Sequence, residues 1–501
     1  MSAGASAPER ADGQPLVAFA VLLATYLQGV NISLPNAAVL HIQGALSMSD
    51  DEIGWVFSSY IAASAVVMPA TRWLAGAFGR KIVFQVALAI FMGALVLVTR
   101  ATTPLQFVAA RTLQGAASGV IPPLAMAILL DVSPPRAHGR LRLAAAVVAL
   151  VGILSGPGLG GWLAEYRGWR SMFYLGLPLA GLVLLVLSLR LTETRADRAP
   201  AFDIAGAAAF SLGVIGLQMF LDRGERLEWF ASPESRLEAI TAVAGFGLFL
   251  ARMLTARAHF LDKALFRDRN FVLSTVMFFA FGFVLLPTVA LTSPMLEELL
   301  GFPPDTTGYL TIPRSLALVG ALVVTWREPA RIDNRLLILG GMALVVYANA
   351  RMLGYSPLMD WRPVAIAGVL QGIGLGVTMP ALTRAAFSTL DPRLRAEGGE
   401  LFNLARLYGS TIGIAVVQML FYANTQAAHL ALARDVTADR LAASPAGAGL
   451  AALNEAVTGQ AAMIAVIDQF ALLMAVMLVA SPLALLLRGP ARAAAVSGAV
   501  R

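Results

Sequence analysis

The chain contains no cysteine, which excludes disulfide bonds, thiol catalysis and cysteine-zinc centres. Histidine is also rare, and the four residues are too scattered for a metal-binding cluster: His41, His138, His259 and His429. No stretch matches the phosphate-binding pattern G-x-x-x-x-G-K-[ST], so the sequence predicts no ATP-driven activity. We therefore expect neither a bound metal nor another cofactor.

Charged residues are scarce as well. They make up 13% of the chain, against 58% hydrophobic residues, and the mean hydropathy is +0.73. Apolar runs of about 20 residues, the length that crosses a bilayer as a helix, recur along the whole chain. This pattern predicts an all-α polytopic membrane protein. We place fourteen spans at 15–38, 53–76, 81–99, 105–130, 141–163, 171–190, 204–221, 237–256, 271–293, 307–326, 335–352, 363–384, 399–421 and 464–487.

The net charge of +7 could suggest a nucleic-acid partner, but the positions of the basic residues argue against one. They cluster in short loops on one side of the predicted spans, which is the positive-inside bias of a membrane protein. These basic loops lie at 80–81, 136–142, 190–198, 257–269, 327–335, 393–395 and 488–492. We place that side and both termini in the cytoplasm. We assign to the opposite, periplasmic side the loops at 50–52, 222–236 and 297–305 and a long Ala-rich loop, 422–462.

Two sequence patterns occur twice in the same order. Residues 113–123 recur as 370–380, and residues 154–160 are echoed by 407–413. The repetition predicts two homologous six-span bundles, a common build of secondary transporters, with spans seven and eight inserted between them. The resulting parts are an N-terminal tail 1–14, a first bundle 15–195, the inserted pair 196–262, a second bundle 263–487 and a C-terminal tail 488–501.

Arg111 lies about two turns inside a predicted span. A charge at the centre of a membrane helix costs roughly 2.5–3.5 kcal/mol on insertion scales, so we expect this side chain to face a polar interior. The alternative is a structural role in which the side chain reaches towards the interface. The same two interpretations apply to Arg406, nearer the cytoplasm, and to Arg314, which follows a proline in span ten.

The fifth span contains the run Gly156-Pro157-Gly158-Leu-Gly160-Gly161. Such residues are unfavourable in an ordinary helix, at about 1 kcal/mol for each glycine and 3 for a proline. In a membrane helix they permit close helix contact and a local bend. The run formally fits G-x-G-x-x-G, but no strand precedes it, so a dinucleotide site is excluded. We expect a pliable helix contact here.

Together these residues resemble the major facilitator superfamily, and in particular its fourteen-span drug:proton antiporter branch of EmrB and QacA type, most closely the EmrB type. The resemblance covers nearly all of the chain. The residues that carry it are Arg111-x-x-Gln114-Gly115, the run 156–161, and the stretches 30–35, 169–173, 203–206, 221–230, 265–271 and 403–406.

The resemblance implies a multidrug efflux transporter of the inner membrane, and not an enzyme. Such a transporter exchanges hydrophobic or amphipathic compounds for protons by alternating access. The resemblance also implies a possible periplasmic membrane-fusion adaptor and an outer-membrane channel as partners. A dedicated exporter of one endogenous metabolite or siderophore remains the alternative, because pocket specificity leaves no short motif.

Two departures from the family pattern affect the proposed site. The loop after span two keeps Gly79, Arg80 and Lys81, but Gly76 stands where the family has an acid. In span one, Tyr26 occupies the position at which many relatives carry an acidic residue. The usual proton carrier of the first half is therefore missing, so either another carboxylate carries the proton or transport is not coupled to protons.

We identify the candidate site residues from charge and polarity inside the spans. For the coupling carboxylate Glu400 leads, ahead of Asp468 and Asp131. The charged set is Arg111, Glu400, Arg406 and Arg314. The polar and aromatic set expected to line a substrate cavity is Tyr26, Gln28, Asn31, Gln114, Gln371 and Tyr408. Each of these six could instead make an interhelical hydrogen bond.

The predicted orientation is testable because the chain has no native thiol. Cysteine introduced at Ser49 should react with a membrane-impermeant maleimide in intact cells, whereas cysteine at Ala137 should react only after the cells are opened. The positive-inside bias places Ala137 in a cytoplasmic loop. Labelling of Ala137→Cys in intact cells would reverse the assignment.

Overall fold

The computed structural model describes residues 14–49, 52, 54–194, 203–224, 227–255, 262–327, 332–434 and 450–488. Within these ranges, fourteen helices are long and apolar enough to cross a bilayer, as predicted. They are α1 Pro15–Asn36, α2 Trp55–Phe78, α3 Arg80–Arg100, α4 Pro104–Asp131, α5 Pro135–Arg167, α6 Arg170–Arg190, α7 Ile204–Arg223, α8 Pro233–Thr255, α9 Arg269–Leu299, α10 Pro304–Arg327, α11 Asn334–Met352, α12 Arg362–Ser388, α13 Glu397–Arg434 and α14 Ala451–Leu486.

The predicted loop 422–462 is wrong in its extent. Helix α13 continues to Arg434 and α14 begins at Ala451, so most of that segment is helical. Alanine is the strongest helix former, which explains why an Ala-rich stretch extends the helices. At 38 residues, α13 is about 57 Å long, well beyond a hydrocarbon core of about 30 Å. Residues 435–449 lie outside the described part, as do most of the two predicted tails and the boundary between 195 and 196.

The helices pack as a duplicated unit. In the first half α1 packs on α5, and α4 packs on both α2 and α3. In the second half α9 packs on α13, and α12 packs on both α10 and α11. Each contact in one half has its counterpart eight spans later, which is the arrangement that the sequence repeat predicts.

Glycines allow these helices to approach closely. On α4, Gly115 and Gly119 lie against the backbone carbonyls of Tyr60 and Ser64 on α2. On α12, the repeated Gly372 and Gly376 lie in the same way against the carbonyls of Arg314 and Leu318 on α10. A Cβ atom at any of these four glycines would collide with the carbonyl oxygen. The repeated glycines are therefore required by backbone contact between helices.

The inserted helices α7 and α8 pack on one another, and α7 also contacts α2 and α13. Gly245 of α8 lies against Gly213 of α7, where a side chain would collide with the backbone. The ring of Phe210 on α7 is perpendicular to Tyr408 on α13, with centroids 5.3 Å apart. The pair thus lies beside the junction at which α2 of the first half meets α13 of the second.

The two halves meet along α5 and α10, closely at one end and around a cavity at the other. Gly308 of α10 lies against Gly158 of α5, where a Cβ on Gly308 would be 2.7 Å from the Cα of Gly158. Near this contact the hydroxyl of Tyr166 donates to Asp305 at 3.2 Å. At the opposite end, beside the basic loops, the same helices border a cavity of about 680 Å³. Its lining includes Arg140, Leu143, Val147, Val323, Trp326 and Arg327.

A larger residue at Gly308 should disrupt the closed end. We expect Gly308→Leu to force α5 and α10 apart there and to close the cavity in compensation. A single cysteine placed at Val147, in the cavity wall, should then react with a soluble maleimide about tenfold more slowly, which corresponds to a shift of about 1.4 kcal/mol. The matched control is Gly320→Leu on the same helix, because nothing lies within 4 Å of a Cβ there. Equal labelling rates in both variants would contradict a contact that controls the cavity.

Candidate functional site

Arg111 is fully buried and connects three helices of the first half. Its Nε donates to the carbonyl of Val56 on α2 at 3.2 Å, and its Nη2 donates to the carbonyl of Asn31 on α1 at 3.1 Å. Its Nη1 donates to the side chain of Gln114 at 2.7 Å, and Gln114 in turn donates to the side chain of Asn31 at 3.0 Å. The guanidinium also stacks over the ring of Tyr60, 4.4 Å from its centroid. The cation is thus solvated by protein dipoles and by a π face.

The described partners of Arg111 are neutral, and none is a carboxylate. The side chain therefore faces a polar interior, as expected, but this interior lies within one bundle. Hydrogen bonds to a charged donor are about twice as strong as neutral ones. Several such bonds at once offset the cost of burying the charge, and they hold α1, α2 and α4 in one register.

The second half also buries an arginine and a glutamine that bond to α9, but the arginine lies on another helix than in the first half. Arg314 on α10 donates to the carbonyl of Leu285 on α9 at 3.1 Å, and Gln371 on α12 donates to Thr288 on α9 at 3.2 Å. Gln371 corresponds to Gln114 in the sequence repeat.

The glycine contacts show which residues occupy equivalent positions in the two halves. By these contacts Arg314 occupies the place of Tyr60, and the repeat puts Gly368 in the place of Arg111. A Cβ on Gly368 would lie 3.3 Å from the Cβ of Arg314, so the side chain of Arg314 runs past this glycine. One buried guanidinium is kept in each half, although it comes from the opposite partner of the helix pair.

The six polar residues expected to line one cavity are divided among four places. Asn31 and Gln114 belong to the Arg111 network, with Gln28 supplying a carbonyl to the hydroxyl of Tyr60 at 3.5 Å. Gln371 is buried in the second half, where it donates to Thr288 on α9. Tyr26 meets Ser155 on α5 at 3.2 Å between their hydroxyls. Four of the six are therefore buried in interhelical networks, the alternative that the sequence left open.

Tyr408 differs from the other five because it connects the two halves. Its hydroxyl, on α13, donates to the carbonyl of Ala65 on α2 at 3.2 Å. Its ring also contacts Phe210 of the inserted pair. Movement of one half against the other must break or shift this hydrogen bond.

The three candidate carboxylates differ in their surroundings. Glu400 is partly buried at the start of α13, and Arg72 of α2 lies close enough to interact with it electrostatically. Asp468 is exposed and accepts a hydrogen bond from Asn424 at 3.2 Å. Asp131 forms an ion pair with Arg80 at the end of α4. Of the three, Glu400 alone lies where the two halves meet.

Arg406 lies six residues after Glu400 on α13 and is partly buried. Among the described residues it has no ion pair or side-chain hydrogen bond. Its backbone carbonyl lies against Gly282 of α9, so the helix itself is tightly packed there.

The turn between α2 and α3 is built on Gly79, which has a positive φ of 95°. Lys81 donates from its ammonium to the carbonyl of Ser188 at 2.9 Å. Glu193, just after α6, accepts from the backbone amides of Lys81 and Ile82, both at 3.1 Å. A carboxylate at a helix N-terminus is stabilised by the unpaired amides and the helix dipole. Glu193 was not among the residues predicted from the sequence. Together with Asp131 it supplies acidic groups at this turn, where Gly76 stands in place of the acidic residue of the family.

The glycine run of α5 faces two different partners. Gly156 and Gly160 lie against Ser33 and Leu34 near the end of α1, where added side chains would collide with both residues. Pro157 and Gly158 face Gly308 of the other half, and Gly161 is buried. One short segment thus forms a tight contact within its bundle and the closed contact between bundles.

A further carboxylate was missed because it falls at the end of a span. The prediction placed Asp222 in an external loop, whereas α7 continues through Asp222 and Arg223. The carboxylate of Asp222 accepts a hydrogen bond from Ser58 on α2 at 2.9 Å. Its position directly after an apolar run is a weak signal that the sequence does contain.

A model of the Major Facilitator Superfamily matches residues 19–414 of the chain. The multidrug export protein EmrB of Haemophilus influenzae is 28% identical over 83% of this chain and 81% of its own length. The fatty acid resistance protein FarB of Neisseria gonorrhoeae is 29% identical over 83% of this chain and 82% of its own. Among solved structures, an inward-facing, unoccupied bacterial homologue of the human lysosomal transporter Spinster has a TM-score of 0.65 at 15% identity, covering 96% of this chain and 98% of that one. That likeness concerns the fold.

Replacing Arg111 by lysine should not preserve the first-half network. The ammonium of lysine cannot reach the carbonyls of Val56 and Asn31 and the side chain of Gln114 together. Each buried acceptor left unpaired costs about 1–3 kcal/mol, so Arg111→Lys should lower the melting temperature of the purified protein. Thr112→Val, on the exposed face one residue later, should stay within about 0.5 kcal/mol of the parent. A melting temperature equal to that of the parent would remove Arg111 from this structural role.

Proposed function

Because the chain belongs to the major facilitator superfamily and is a multi-pass inner-membrane protein, we propose that it is a secondary exporter that exchanges hydrophobic or amphipathic compounds for protons. The observation that carries the proposal is the arrangement of the two repeated halves. They meet at Gly158 and Gly308 and open at the other end of the same two helices. The two halves can rock about such a contact, so that they meet first at one end of α5 and α10 and then at the other, while each half stays folded.

With the basic loops placed in the cytoplasm, the cavity between α5 and α10 faces the cytoplasm. A compound enters between α5 and α10 from that side. Closing this end requires Arg140 and Leu143 of α5 to approach Trp326 and Arg327 of α10. The aromatic and aliphatic groups of that lining suit a compound with apolar surface, and its two arginines suit a polar group.

Glu400 is the carboxylate proposed to carry the proton. It lies at the cytoplasmic end of the junction between α2 and α13, near the cation of Arg72. Movement of α13 against α2 changes the distance between the two charges, and that distance decides how readily the carboxylate holds a proton. A proton that moves down a potential of 100 mV supplies about 2.3 kcal/mol, which can drive uphill export of a neutral compound.

The relatives support export of several kinds of compound, since they are named for multidrug export and for fatty acid resistance. A dedicated exporter of one metabolite or siderophore stays the second candidate. The long ends of α13 and α14 extend beyond the bilayer thickness on the periplasmic side. We place there the contact with a membrane-fusion adaptor, which would lead to an outer-membrane channel.

The test is proton movement in proteoliposomes during transport of a panel of amphipathic dyes and antibiotics, with and without an uncoupler. The parent should show compound-dependent proton flux that the uncoupler abolishes. Glu400→Gln should lose the proton flux while compound binding stays measurable, because glutamine keeps the shape but cannot ionise. Glu455→Gln, at an exposed position of α14, is the matched control and should behave as the parent. Normal flux in Glu400→Gln would assign the proton to another group.

A further inference from the structure

Asp222 is the penultimate residue of α7 and is partly buried against the first half. Its Oδ2 accepts a hydrogen bond from the hydroxyl of Ser58 on α2 at 2.9 Å. The side-chain amide of Gln218, one turn earlier on α7, donates to Oδ1 at 2.8 Å and to Oδ2 at 3.0 Å. Both donors are neutral. An ionisable group held in this way between membrane helices is a candidate for function.

The neighbouring cation does not neutralise Asp222. The guanidinium of Arg223 forms ion pairs with Glu234 and Glu238 at the start of α8, both at 2.7 Å. Among the described residues, no cation forms an ion pair with Asp222. Glu238 is the charged side chain that acts on it electrostatically, and the two groups have the same sign.

The other helices packed on α7 add no opposite charge at this end. The charged residue of α2 is Arg72, near the other end of that helix, whereas Ser58 is one turn from its start. Residues 407–433 of α13 contain no Asp, Glu, Lys or Arg. Apart from Asp222 itself, segment 223–238 carries four acidic residues and three arginines, so its net charge is slightly negative. A negative surrounding favours the protonated form of a carboxyl group.

We propose that Asp222 is a second proton-binding site, loaded from the outer solution, and that its protonation weakens the contact between the inserted helix pair and the first half. That this end faces outwards rests on the proposed function. A proton from outer water binds a carboxylate oxygen and is later returned to the same side. The ionised form accepts charge-assisted hydrogen bonds from Ser58 and Gln218, and the neutral form accepts weaker ones.

The consequence concerns the junction of the two halves. Helix α7 contacts both α2 and α13, and Phe210 packs on the ring of Tyr408, which itself bonds to α2. A weaker contact at Asp222 frees α7 from α2 and so lets α2 and α13 move apart at the outer end. Outer pH would thereby act on the transport cycle separately from the carboxylate that couples transport.

The first test reads proton binding directly and requires no transport. The full-length protein in liposomes is treated with dicyclohexylcarbodiimide, which reacts with protonated carboxyl groups in apolar surroundings, and the modified residues are located by mass spectrometry. Measured between about pH 5 and about pH 8, modification of Asp222 should decline as pH rises, because the reagent requires the protonated carboxyl group. Ser58→Ala should shift this decline to higher pH, because it removes a donor from the ionised form. A merely structural contact would not produce that shift.

The second test compares efflux at different outer pH in the parent, in Asp222→Asn and in Asp360→Asn. Asp360 is an exposed acid between α11 and α12 and serves as the matched control. The parent and the control should change rate about fivefold across this pH range, equivalent to about 1 kcal/mol, and Asp222→Asn should respond clearly less, because outer pH then acts only through the proton driving force.

Two results would overturn the proposal: no modification of Asp222 at any pH, or a parental response to outer pH in Asp222→Asn. Failure of the parent to move protons with any compound would instead reject the proposed function. The carbodiimide result would still decide whether Asp222 binds a proton.

Discussion

A positive charge buried away from water is the constraint on which each half of the structure depends. In the first half Arg111 must find acceptors inside the membrane, and it finds them on α1, α2 and on its own helix. In the second half Arg314 meets the same requirement with α9. A guanidinium with several donors and a fixed geometry can hold three helices at once, which a point charge cannot. The remaining helices pack around these two centres.

The glycine contacts follow from the same requirement. A guanidinium can reach carbonyl oxygens of a neighbouring helix only when the helices lie close together, and Gly115 and Gly372 permit that approach. The exchange of Tyr60 and Arg111 for Arg314 and Gly368 shows that the duplicated halves conserve the buried cation but not the helix that supplies it. Rigid halves with a glycine contact between them, at Gly158 and Gly308, leave motion to the interface.

The inserted helix pair is a third unit of this fold, beside the two halves. Helix α7 touches both halves where they meet, through Phe210 and through Asp222. Without such contacts, the inserted helices would lie in the lipid with no fixed position beside the bundles. The polar groups at the Asp222 end of this pair therefore lie beside the junction of the halves.

Much of the architecture could be predicted from local sequence. The fourteen spans follow from apolar runs, because a bilayer imposes a length on every helix that crosses it. The duplication could be recognised from the similarity of residues 113–123 and 370–380. Both stretches keep their glycines and a glutamine, Gln114 or Gln371, because the helix packs closely on its neighbours in each half. The extent of α13 and α14 was not predicted, because beyond the bilayer hydropathy no longer marks the end of a helix.

The amino-acid pattern alone was enough to identify a duplicated membrane transporter with buried arginines, because charge and glycine inside apolar spans have few permitted explanations. The packing of the helices was needed to show which groups those arginines meet, that Glu193 and Asp131 serve the turn at Gly79, and that Asp222 faces α2. These partners come from helices far apart in the chain. A side chain's partner depends on the direction in which it points across a helix interface, and no local pattern of residues specifies that direction.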